Sequence, residues 1–280
     1  MIRSAAALAW QAFMRFQGHD GPDRAAAVAY YALLSLLPLL IFLISLGVAL
    51  LGSFEEAYQA TLFLFSGVVL PLDQESLATL REFVQRATRF QWPGILILAW
   101  TSRRIFAALS SALERIFEVP SRGFARGNLL ALAMVMLTGA GLLITLTLTT
   151  AVAALEGFVQ RVTGPHGAET FHGLSAMLVT HVVPIAVGFA FFFAIYRVVP
   201  RRATSTAHAF TGALLATVLW ETAKAGFAYY VRNVAHYGGL YGALEAVLVL
   251  ALWLELSASI VLYCGEVVAL LANPDIPSPS

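Results

Sequence analysis

The chain has 280 residues, 59% of them hydrophobic and only 12% charged, with a formal net charge of +1. A soluble domain carries about a quarter charged residues, so this composition excludes a soluble globule of the same size, and equally a disordered, collagenous, coiled-coil or disulfide-stapled chain. The near-neutral balance gives no bulk field for nucleic acid, and the single cysteine, Cys264, leaves no intramolecular disulfide and no cysteine zinc cluster.

In chain order, Ala5 to Phe16 reads as an amphipathic helix lying along the membrane surface, within a segment over 1–24. The apolar run from Met1 to Trp10 is too short for a cleavable signal. A spanning helix needs about 20 apolar residues. Runs of that kind occupy 25–52, 129–155, 174–199, 207–231 and 240–272; a sixth, 93–113, carries Arg103 and Arg104 at its middle. Between the first two spans, 53–92 is expected to be an outer interfacial or re-entrant connection. Its Ala57 to Leu70 run is too short to span, and Leu77, Leu80 and Val84 put an amphipathic helix over Leu72 to Phe90. The tail 273–280 is expected to be disordered. The runs are continuous, not alternating stretches, so helices are favoured over a barrel. The expected fold is all-α: one polytopic membrane domain over 25–272, with six transmembrane helices plus amphipathic interfacial helices.

Lysine and arginine set the orientation. One side holds Arg3, Arg15, Arg24, Arg115, Arg122, Arg126, Arg197, Arg201 and Arg202; the other holds Arg81, Arg86, Arg89, Arg161 and Arg232. The richer side is expected to be cytoplasmic, with both termini on it.

Several motifs stand in order along the chain. Asp23-Arg24, Tyr30-Tyr31, Ser35 and Pro38 open the first span. Tyr196-Arg197 and Pro200 follow, then Gly212, Trp220-Glu221, Lys224, Phe227 and Tyr229-Tyr230. Tyr241-Gly242, Trp253 and Gly265-Glu266 close the series. This arrangement, over about Asp20 to Leu271, resembles the YihY/BrkB family of bacterial inner-membrane proteins. The resemblance implies a six-helix inner-membrane protein linked to envelope integrity and to export of lipids or solutes. It supplies no catalytic residues; the family's older label, ribonuclease BN, is regarded as a misassignment.

A charge at the bilayer centre costs about 3 kcal/mol on insertion scales, so mid-span charges need a reason. Glu221 and Lys224 share a helix face near the middle of the fifth span. They form either a self-contained ion pair or part of a polar path. Glu255 sits at a similar depth in the sixth span. Glu266 lies on its face about 16 Å away, and Glu245 about 80° round the helix. Arg103 and Arg104 reach that depth if their span is straight, which gives a candidate buried polar cluster of Arg103, Arg104, Glu221, Lys224 and Glu255. The alternative is a tilted or broken span whose arginines snorkel to the cytoplasmic face. His181, Glu245, Glu266, Asp23 and Arg24 are secondary candidates, and Pro38 and Pro184 are candidate helix kinks. Most of the other acids and bases fall in loops or near helix ends, where solvation is cheap.

Small residues at Gly238, Gly242 and Ala246, and at Gly265 and Ala269, suit close helix packing or a homo-oligomer seam. HExxH, phosphate-binding glycine loops and the GxSxG elbow are missing, so no metal site, cofactor or enzyme activity is expected. The leading expectation is a transporter-like protein acting on a lipid, an amphipathic molecule or a small solute, with membrane lipids as its surroundings and no nucleic acid partner. A non-catalytic scaffold for envelope assembly is the second reading, and a ribonuclease the remotest.

Overall fold

The computed structural model describes residues 5–65, 81–82, 85–86, 91–120, 177, 182–200, 204–233 and 243–273, with positions scattered between 127 and 161. The regular structure among these residues is helical, without strands. The elements are α1 (Ala5–Gly18), α2 (Gly21–Leu51), α3 (Phe54–Phe65), α4 (Gln91–Ile116), α5 (Val183–Val198), α6 (Thr206–Asn233) and α7 (Ala243–Ala272). The scattered positions between 127 and 161 are helical too.

The boundaries follow from local chemistry. Alanine-rich α1 ends in a left-handed Asp20 (φ 56°), which reverses the chain. Then α2 opens at Gly21, ahead of the apolar run at 25, because Pro22 in its first turn supplies a preset φ and Asp23 suits the positive end of the helix dipole. It runs unbroken through Pro38 and stops at Gly52, whose φ of 75° is open to glycine and whose N–H caps Val48 O. The next helix, α3, doubles back on α2, packing Ala57 and Tyr58 against Ile44. A Cβ at Gly47 would sit 2.7 Å from that of Ala57, so glycine permits this close turn. Near its start, Glu55 accepts hydrogen bonds from Gln59 and from Arg81, which ties the 81–86 stretch to α3. Gln59 and, beside it, Arg81 hold the Glu55 carboxyl below its usual value. The remainder of the expected re-entrant stretch, 66–80, 83–84 and 87–90, lies outside the described residues.

The core is built on α7. Ala209, Ala213 and Ala216 of α6 are fully buried, and a Cβ at Gly212 would fall 2.1 Å from Val268 Cγ2, so small residues bring α6 onto α7. On another side, Gly265 faces Leu113 and Ile116 of α4. Of the expected small-residue seams, the Gly265 and Ala269 pair is therefore spent on packing within the chain; Gly238 and Gly242 lie outside the described residues. Tyr196 of α5 donates to Val261 O at 2.9 Å, and Cys264 is fully buried between the helices. Among the described residues one helix, Val247–Ala272, is long and apolar enough to cross a membrane by length and composition. Of the other helices, α5 has 16 described residues, α4 carries paired arginines, and α6 carries Glu221 and Lys224.

Candidate functional site

Helix directions gather particular ends. The end of α7 meets the start of α2 and the end of α4, and the end of α5 and the start of α6 pack on the same part of α7. Helix ends carrying Arg15, Arg24, Arg115 and Arg197 thus share one end of the bundle.

Depth can be counted from there. Gly265 packs against Ile116, and His19 bonds Glu266. Rising along each helix, Arg104 is twelve residues from Ile116, Tyr31 ten from Gly21 at the start of α2 and Glu255 eleven from Glu266. At 1.5 Å per residue all three come to about 15–18 Å from that end. Glu255 and Glu266, three turns apart, share one face of α7. The Arg104 guanidinium lies over the Tyr31 ring at 5.5 Å, a cation–π contact that needs no carboxylate. Glu255 is half-buried and has no ion pair among the described residues. Glu221 and Lys224, counted from Gly212, fall about 10–15 Å from the same reference.

Glu221 and Lys224 join each other, Nζ to Oε1, at 2.8 Å, each about one-third exposed. Among the described residues no ion pair links Arg104 to Glu221 or Glu255. The side chains of Arg103, Glu245 and Pro38 and all of His181 lie outside the described residues. Pro184 stands in the first turn of α5, and most of the residues before it are likewise outside them. Beside these groups Trp253 packs against Trp220 at 5.4 Å and Phe227 at 4.9 Å, and Trp220 against Phe192 at 5.7 Å.

The most deeply buried charges lie elsewhere, near the helix ends. Arg15 is 1% exposed and Glu266 0%. Arg15 Nε donates to Glu266 Oε2 at 3.0 Å, and its Nη2 donates to Glu118 Oε1 at 3.0 Å and to Ile116 O at 3.3 Å. His19 Nδ1 meets the other Glu266 oxygen at 2.6 Å, and Arg24 Nε donates to the His19 carbonyl. Asp23 is exposed. One buried arginine therefore ties α1, α4 and α7 together, and His19 adds the turn into α2. Sequence reasoning singled out Glu266 but not Arg15, His19 or Glu118. The available signal was the i, i+4 spacing of Arg15 and His19 on one face.

The family model described as "Virulence factor BrkB" matches residues 12–278. The chain belongs to the BrkB family. Among its relatives, a UPF0761 membrane protein of Pseudomonas paraeruginosa is 32% identical over 276 residues, covering 93% of this chain and 63% of its own. One from Alteromonas mediterranea is 32% identical over 209 residues, covering 73% of this chain and 67% of its own. One from Alkalilimnicola ehrlichii is 33% identical over 200 residues, covering 69% and 42%. The chain spans about 63% of the length of its Pseudomonas relatives. No solved structure matches it. With these relatives and this composition, the BrkB-family chain is a membrane protein.

Proposed function

We propose that this chain is a six-span inner-membrane protein with both termini in the cytoplasm, and that it moves a lipid, an amphipathic molecule or a small solute across or within the bilayer. The observation that carries the reading is the level shared by Arg104, Tyr31 and Glu255, with Glu221 and Lys224 close to it. Charge held so far from the helix ends is costly in lipid and marks substrate or proton paths in membrane proteins. Glu255 carries most of the argument, because it has no countercharge among the described residues. The gathering of arginine-bearing helix ends supports the orientation. The reading is non-enzymatic: the side chains at this level offer proton and ion exchange rather than an activated nucleophile. Proteoliposomes loaded with a headgroup-labelled fluorescent phosphatidylethanolamine test it. Wild type should equilibrate the label between leaflets, and Glu255→Gln should slow this by about tenfold, the effect of 1.4 kcal/mol on a barrier. Absence of lipid and small-solute movement in wild type would sink the proposal.

One observation favours the second reading, a non-catalytic scaffold for envelope assembly. The Glu221–Lys224 pair is closed on itself, which lowers its cost in lipid without any path. On that reading neutralising both residues together leaves cells unaffected.

A further inference from the structure

Helix α1 is turned the opposite way from a solvated surface helix. Its sole charge, Arg15, points inward and is almost fully buried against Glu266. The same inner face sets Leu8 and Ala12 against Val267 and Leu270, and Phe16 edge-on to Tyr263. The outer face carries Ala6, Ala9, Trp10, Phe13, Met14 and Gln17, with no acid or base. Trp10 is 63% exposed, Phe13 43% and Met14 44%, and the Trp10 and Phe13 rings touch at 5.9 Å. Positions 10, 13 and 14 make one i, i+3, i+4 stripe, a shape that in a soluble helix faces the core. Here the core side is already filled.

The roll of α1 is fixed by more than packing. Rotating the helix would pull Arg15 off Glu266, Glu118 and the Ile116 carbonyl at once, and Tyr263 Oη also donates to the Ala9 carbonyl at 3.1 Å. The outer stripe therefore cannot turn inward. Other helices present an exposed apolar surface too, through Phe210, Leu214 and Val218 of α6 and Tyr30 and Leu34 of α2. In a membrane protein that surface meets lipid.

We propose that α1 is seated in the boundary between headgroups and acyl chains through Trp10, Phe13 and Met14, and that its occupant is the lipid surface. An indole suits that boundary, with an apolar body and a polar N–H. The usual interfacial helix presents its cations to the headgroups. This one withdraws its only cation into the protein and binds by apolar contact, so its seating is insensitive to anionic lipid.

Tryptophan fluorescence of the full chain in nanodiscs tests this, comparing wild type with Trp10→Phe so that the difference isolates Trp10. Phosphatidylcholine brominated near the top of its acyl chains should quench the Trp10 component at least twofold. Aqueous iodide should leave it nearly unchanged, and replacing a third of the lipid by phosphatidylglycerol should not alter either result. Quenching by iodide but not by bromolipid would overturn the proposal in favour of a water-facing helix. Protection from both quenchers would overturn it in favour of a protein partner or a second copy of the chain.

Discussion

Arg15 and Glu266 stand 251 residues apart and form the most buried ion pair among the described residues. Such pairs contribute little against a well-packed apolar core, yet breaking one by removing a single partner costs about 3–5 kcal/mol, because a buried charge is left alone. Glu266→Gln should therefore destabilise the protein by about that amount, although His19 and Glu118 remain. Adding Arg15→Gln to Glu266→Gln should recover a large part of the loss, since residues in one network couple. Thermal unfolding of the four proteins in detergent reads this cycle, and simple additivity would contradict the account. Spacing along α7 marks Glu266 as an inward-facing acid. Nothing local to Arg15 tells a solvated cation at a helix end from a buried one, because the difference lies in how α1 docks. Arg104 shows the converse. Its depth follows from counting along the span, but its partner, the Tyr31 ring, depends on how α2 crosses α4.

At the scale of the elements, α1, α2, α4, α6 and α7 were legible within a few residues. A continuous apolar run needs no knowledge of its neighbours, and the local signals at their ends agree with it: Pro22 and Gly52 for α2, Pro93 for α4. The inside-out roll of α1 was not legible, because an apolar stripe facing lipid and one facing a core have the same period. The α6–α7 contact makes a prediction of its own. Gly212 faces Val268, and a side chain there must displace a packed valine. Gly212→Leu should cost about 1–3 kcal/mol by overpacking. Gly226→Ala on the same helix meets nothing within 4 Å and should be neutral or slightly stabilising, since alanine is the better helix former. Melting temperatures of the two variants separate these outcomes, and a tolerated leucine at 212 would show that α6 does not pack on α7 as described.

The whole molecule combines two polar levels in an apolar bundle. One is locked: Arg15, Glu266, His19 and Glu118 bind the ends of α1, α4 and α7 to the turn before α2. The other, about 10–18 Å away by helix rise, is loose, with Arg104 on an aromatic ring and, among the described residues, Glu255 without a countercharge and Glu221 and Lys224 paired only with each other. A firm end beside a loosely compensated middle is the arrangement expected of a path that opens around a fixed base. The low charged fraction of the sequence pointed to the membrane; the proposed transport reading rests on the placement of the few interior charges. The chain's single cysteine makes the decisive measurement clean, because Cys264 is fully buried and can be replaced by alanine. In that background, Glu255→Cys in lipid nanodiscs is exposed to a small charged thiol reagent that does not enter hydrocarbon. If a polar path reaches this level, the introduced thiol reacts many times faster than Cys264 does in the wild-type chain; reaction no faster than that of Cys264 would contradict the account.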